Sequence, residues 1–144
     1  MARYKGYLHL ISRYSCKALA EYRQGQFASA AEWALKAFSE PDYCLDRELR
    51  KRAHCRRVDA SMLLAMSNYQ LHQLDEARVA LRQGLDIAEN KLPKLESGDL
   101  GEFWDEWVFA QVLMREAKAL IEGGSKAGSE TKTRDSSALR TEPP

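Results

Sequence analysis

Two stretches of this chain repeat one another, and no other feature limits the possible fold as tightly. Ala18-Leu-Ala-Glu-Tyr22-Arg-Gln-Gly25-Gln26-Phe27-Ala-Ser-Ala30 aligns with Ala65-Met-Ser-Asn-Tyr69-Gln-Leu-His72-Gln73-Leu74-Asp-Glu-Ala77. A small residue, a tyrosine, a glutamine, a bulky apolar residue and an alanine recur in step. A small residue on one helix lets a second helix approach closely. A short polar turn then reverses the chain, an apolar residue plugs the hairpin, and alanine three residues on again permits close packing. Each such hairpin has an uncovered apolar side, which the next one buries.

The rest of the chain agrees with helices. Tyr4, Tyr7, Leu8, Ile11, Tyr14 and Ala18 fall at helical spacing. Phe27, Ala30, Ala34 and Phe38 share a face of a second helix, Gln26 to Ser39, which Pro41 ends because the residue before a proline avoids helical geometry. A third begins near Asp46 and runs through Met62, Leu63 and Met66 to Tyr69, with acid-first pairs Asp46–Arg50 and Glu48–Arg52 on a solvated face. A fourth spans Asp75 to Asn90, with Ala77, Ala80, Leu81, Leu85 and Ala88 inward and Pro93 following. A fifth is expected from Asp99, an N-cap with Glu102 three residues on, and carries the stripe Trp107, Ala110, Met114, Ala117 and Ile121. Gly123 and Gly124 are expected to stop it. Residues 123–144 offer almost nothing to bury and are expected to form a disordered tail. The expected domain is 1–122: a hairpin at 4–39, a hairpin at 46–90 and a closing helix at 100–122.

The 144 residues suit one domain, and 44% apolar with 30% charged residues permits a core and a solvated surface. A formal charge of +1 selects no charged partner class by its global field. Cys16, Cys44 and Cys55 are an odd set without short spacings, which reads as reduced thiols in a cytoplasmic protein. No apolar run reaches the roughly 20 residues of a membrane span. Arg3, Lys5, Arg13 and Lys17 without an acid outline a transit peptide, but the same stretch reads as the opening helix and its periodicity favours that.

The repeat resembles the tetratricopeptide (TPR) family. Ala18 and Ala65 stand at its first small position, Tyr22 and Tyr69 at its late aromatic, Gly25 at its turn glycine. Phe27 and Leu74 match the apolar residue after the turn, Ala30 and Ala77 the alanine of the second helix, and Ala37 and Gly84 the later small position. Two departures stand out. His72 replaces the turn glycine, and the separation of Ala30 from Ala77 is well above the usual spacing of about 34 residues, the surplus lying in Asp42 to Ala53. The stretches around Ala20–Phe38, Leu64–Gly101 and Trp104–Ile121 also look like the C-terminal repeat region of large bacterial serine/threonine protein kinases, without any kinase motif. The resemblance implies an all-α fold: a superhelix of TPR-like hairpins, about five helices, with the chain standing as a docking module or a detached tail.

Within that fold the first helix of each hairpin lines a concave groove for a peptide or partner helix. The alignment puts Ser15, Leu19, Tyr22 and Arg23 there, then Asp59, Met62, Met66, Tyr69 and Gln70, and from the last helix Trp107, Gln111 and Met114. Ser15, Leu19, Met62 and Met66 stand where the family's carboxylate clamp has lysine and asparagine, so this groove is of another kind. Several of these residues, Met62 and Trp107 above all, read equally well as core. Glu106, Arg115, Glu116, Lys118 and Glu122 are expected on the solvent side of the last helix, Trp33 between helices, and Trp104 partly exposed.

No catalytic set, metal-ligand spacing or cofactor motif is visible. His9, His54 and His72 are isolated, and Cys55 next to His54 points elsewhere on a helix. Asp75–Glu76 and Asp105–Glu106 sit in first turns, where the helix dipole favours acids. The run Arg47 to Arg57 is either a solvated helix face or a basic patch, Arg50, Lys51, Arg56 and Arg57, for nucleic acid or an acidic partner. The expectation is therefore a non-enzymatic protein-binding module, monomer or homodimer, with no cofactor and no membrane. The alternative is an adaptor for nucleic acid or an acidic partner.

Overall fold

A computed structural model describes residues 2–41 and 46–134, with side chains described for 12–41 and 46–124. These residues form α1 (Ala2–Arg23), α2 (Phe27–Ser39), α3 (Arg47–Gln70), α4 (Leu74–Lys91), a 3-10 turn (Leu95–Ser97) and α5 (Trp104–Arg134), with no strand among them. The fold is all-α. Among the described residues no helix is long and apolar enough to cross a membrane.

The repeated small residues are the contact points. Ala18, Ala30, Ala65 and Ala77 are all fully buried, so helix backbones meet where no side chain holds them apart. α1 packs on α2, α3 on α4, and α3 also touches α1, α2 and α5. This position explains the mixed composition of α3, which buries Val58, Met62, Leu63 and Met66 together with Arg56, Asp59, Ser61, Ser67 and Asn68. A helix covered on several sides cannot show one apolar stripe. The Ser61 hydroxyl donates to the Ala80 carbonyl at 2.5 Å and ties α3 to α4. Asp46 caps α3, its carboxylate accepting from the amides of Glu48 at 2.9 Å and Leu49 at 3.1 Å.

The two hairpin turns are built alike. Gln26 N–H donates to the Glu21 carbonyl and Gly25 N–H to Tyr22; Gln73 N–H donates to Asn68 and His72 N–H to Tyr69. This is the Schellman arrangement, which needs a left-handed residue after the helix. Gly25 supplies it at φ 78°, and His72 supplies it at φ 62° despite its side chain. The histidine therefore leaves the turn unchanged.

The structure departs from expectation in three places. α5 begins at Trp104, because Asp99 turns its carboxylate onto the Gly101 amide at 2.8 Å instead of capping a helix. α5 also runs through Gly123 and Gly124 to Arg134, so the expected helix stop at these glycines does not occur. Glycine weakens a helix by only about 1 kcal/mol per residue. At Gly124 it also has a packing use, since a Cβ there would overlap the Tyr69 hydroxyl. Leu74 is 43% exposed and plugs its hairpin less fully than Phe27, which packs on the core beside Tyr22. The surplus at Asp42–Ala53 resolves, from residue 46 onward, into the capped start of the 24-residue α3. Asp42–Leu45, the side chains of Tyr4, Tyr7, Leu8, His9 and Ile11, and residues 135–144 lie outside the described residues, and so do the expectations for them.

Candidate ligand-binding crevice

α1 and α5 both lean on α3, and among the described residues they do not pack on each other. Between them, floored by α3, opens a crevice of about 330 Å³. Ser12, Ser15 and Cys16 of α1, Arg56 and Asp59 of α3, and Asp105, Glu106 and Phe109 of α5 line it. Farther along, Arg23 grips Glu116 in a two-pronged ion pair, Nη1 to Oε1 at 2.6 Å and Nη2 to Oε2 at 2.7 Å. Ser15 precedes Arg23 as Glu106 precedes Glu116, so α1 and α5 run the same way across α3.

Glu106 organises the near end. Arg52 Nε donates to its Oε1 at 2.6 Å and Arg56 Nη2 to the same oxygen at 3.0 Å. Arg52, Arg56 and Asp59 follow at steps of four and three, which puts them on one face of α3. The Arg52 guanidinium also lies over the Phe103 ring at 4.5 Å.

Three of the residues that line the crevice each carry a buried oxygen without a hydrogen-bond partner: Ser15 Oγ, Asp59 Oδ1 and Glu106 Oε2. Ser15 is 7% and Asp59 5% exposed. Buried polar atoms are ordinarily paired, so such a convergence is unusual. Burial drives the Asp59 carboxyl well above its ordinary range, and the Glu106 charge pushes the same way while Arg56 opposes. Burial also pushes the Cys55 thiol up to about 12, with Asp59 and Glu106 adding to it. Among the described residues no three His, Cys, Asp or Glu side chains are grouped to hold a metal ion.

Of the expected groove residues, Ser15 and Asp59 reach this crevice, and Arg23 pairs with Glu116 farther along α1. Met62 and Met66 are fully buried core and Tyr22 nearly so, which removes them from any open face. Leu19 and Tyr69 pack partly buried against the same core. Gln70 is half-buried at the end of α3. Trp107, Gln111 and Met114 turn to a separate opening of about 810 Å³ beside α4, where Trp107 Nε1 donates to the Pro93 carbonyl at 2.8 Å. α3 meets helices on several sides, so residues assigned to its groove face are covered.

The basic run does not form one patch. Arg56 is buried on Glu106, Arg57 lies over the Phe38 ring at 5.2 Å toward α2, Lys51 bonds Glu48 at 2.9 Å, and only Arg50 is exposed. Glu106 and Glu116, expected on the solvent side, instead anchor the two ion-pair bridges. The signal for the crevice was the Arg52–Arg56–Asp59 spacing, which a reading of residues 47–57 as one charge run conceals.

Trp33 stands partly buried between helices with the Tyr14 ring centroid 5.6 Å from its own, and Trp104 is 59% exposed. No protein-family model, curated protein or solved structure matches the chain.

Proposed function

We propose that the chain is a protein-interaction module of TPR type, regulatory or scaffolding in role, which receives a peptide or partner helix across the α1/α3/α5 face. The observation that carries this reading is the crevice itself: three helices side by side, with buried polar atoms converging on it unpaired. A closed structural core has no use for unmet acceptors, whereas a partner supplies donors on arrival. The TPR-like repeat and the likeness to kinase-linked repeat regions support a docking role in the cytoplasm, without catalysis. The scattering of Arg50, Lys51, Arg56 and Arg57 favours this reading over a nucleic-acid adaptor.

The test is selection of peptides from a random library on the immobilised protein, followed by amide chemical-shift mapping of the best binder. Shifts confined to Ser12, Ser15, Cys16, Asp59, Glu106 and Phe109 support the assignment. Shifts centred on the α2/α4 opening around Leu35 and Val79 would overturn it.

A further inference from the structure

The three unpartnered oxygens have a chemistry of their own. Ser15, Asp59 and Glu106 come from three different helices and line one crevice, and each carries a buried oxygen (Oγ, Oδ1 and Oε2) without a hydrogen-bond partner. Arg52 and Arg56 both spend their described bonds on Glu106 Oε1, which leaves Oε2 open. Among the described residues, three acids line the crevice against one arginine. An anion entering it would face Asp59, Asp105 and Glu106 together. A cation that donates in three directions would meet three acceptors.

We propose that this crevice is a receptor for a primary ammonium group, the side chain of a lysine on the bound partner. The proposal rests on the α1/α3/α5 face being the docking face. An alkylammonium is a compact charge with three rotatable donors on a slender stem. That matches one hydroxyl and two carboxylate oxygens around a narrow opening. The exposed Phe109 ring at the rim gives the methylene stem an apolar wall. A guanidinium is a planar fork that pairs best with two oxygens of one carboxylate, and Glu106 has one of its two already occupied by arginines.

The charge balance sets a pH dependence. Cys16 of α1, Arg52, Cys55 and Arg56 of α3, and Asp105 and Glu106 of α5 surround Asp59. With the crevice empty, burial favours protonated Asp59, and an ammonium beside it favours the ionised form. Ammonium binding therefore releases a proton and strengthens as pH rises above the ordinary carboxyl range.

The experiment titrates the protein with N-acetyl-lysine N-methylamide, its Nε-acetyl derivative and N-acetyl-arginine N-methylamide, read by amide and side-chain carboxyl shifts. The expected result is saturable binding of the lysine probe at Ser15, Asp59 and Glu106, tighter at pH 7.5 than at pH 5. The Nε-acetyl probe should produce none, and arginine should bind more weakly. Asp59→Asn should weaken the lysine probe about tenfold or more, the usual scale for removing a buried charge partner. Ser15→Ala, a smaller change in the same cradle, should weaken it less, and it decides the matter if Asp59→Asn does not fold. Equal shifts with the Nε-acetyl probe, or lysine binding indifferent to both variants, overturn the proposal. Library peptides that map to the same face yet bind Asp59→Asn and Ser15→Ala at full affinity would remove the ammonium receptor and leave the docking face standing. Peptides that map elsewhere would remove both.

Discussion

Gly84 of α4 lies against Met62 of α3 so closely that a Cβ at residue 84 would overlap the methionine methyl, while Ser61 Cβ stands 3.0 Å from the same point. Met62 is fully buried, so its methyl can move aside only by displacing other core atoms. Gly84→Ala gains about 1 kcal/mol of helix propensity. It loses about 1–3 kcal/mol by overpacking. The expected net effect is a lower urea midpoint with an unchanged slope. A raised midpoint would show that α3 and α4 are not this close.

His72 holds a left-handed backbone in a turn where Gly25 does the same task without a side chain. The strain for a residue other than glycine is about 1–2 kcal/mol, offset in part by glycine's greater freedom in the unfolded chain. His72→Gly is expected to raise stability by about 0.5–1 kcal/mol and Gly25→Ala to lower it by about 1 kcal/mol. Thermal melts of the two variants, measured side by side, check both signs.

Asp59 couples stability to pH. Its folded-state affinity for a proton exceeds that of the unfolded chain, whose ordinary carboxyl titrates near 3.8. The folded state therefore holds more protons above pH 3.8, and stability falls as pH rises through the window from there to the raised value. Each pH unit inside the window costs up to about 1.4 kcal/mol. Asp59→Asn removes this decline, so its advantage over the parent protein should grow between pH 4 and pH 7. Parallel curves for the two proteins would mean that Asp59 is solvated.

The two described cysteines differ in reach. Cys16 is exposed at the crevice, whereas Cys55 is buried with its thiol pushed up to about 12. Iodoacetamide at pH 8 should label Cys16 quickly and leave Cys55 intact until denaturant is added. Peptide mapping by mass spectrometry reads the order directly. Rapid labelling of Cys55 in the folded protein would contradict the packing of α3.

Arg23 and Glu116 join two helices that have no other direct described contact. Both side chains are partly solvated, so a double-mutant cycle with alanine should give only about 0.2–1 kcal/mol of coupling, shrinking in 1 M salt. A coupling near zero at low salt would mean that the bridge does not persist in solution.

The helices and their packing points were legible because they depend on local spacing. Ala18, Ala30, Ala65 and Ala77 could be chosen from sequence, since close helix approach needs small residues at repeating positions, and all four are fully buried. The same logic found the turns but could not say whether His72 would distort one. The site was less legible. Ser15 and Asp59 were identified from the repeat register, while Met62 and Met66, drawn from the same register, are core. One face of α3 is open at Asp59 and closed a turn later, and only tertiary contacts decide where the change falls. Glu106 was hidden for a related reason: an acid in a helix's first turn has a sufficient local explanation, and its arginine partners are distant in sequence.

The placement of α3 has a mechanical consequence. It is a beam from which α1 and α5 extend as parallel arms, joined to each other only by the Arg23–Glu116 strut among the described contacts. The width of the crevice mouth then depends on how α3, with α2 behind α1 and α4 behind α5, holds the two arms apart. Substitutions deep in α3, far from any ligand, are where the stiffness of the grip is tuned.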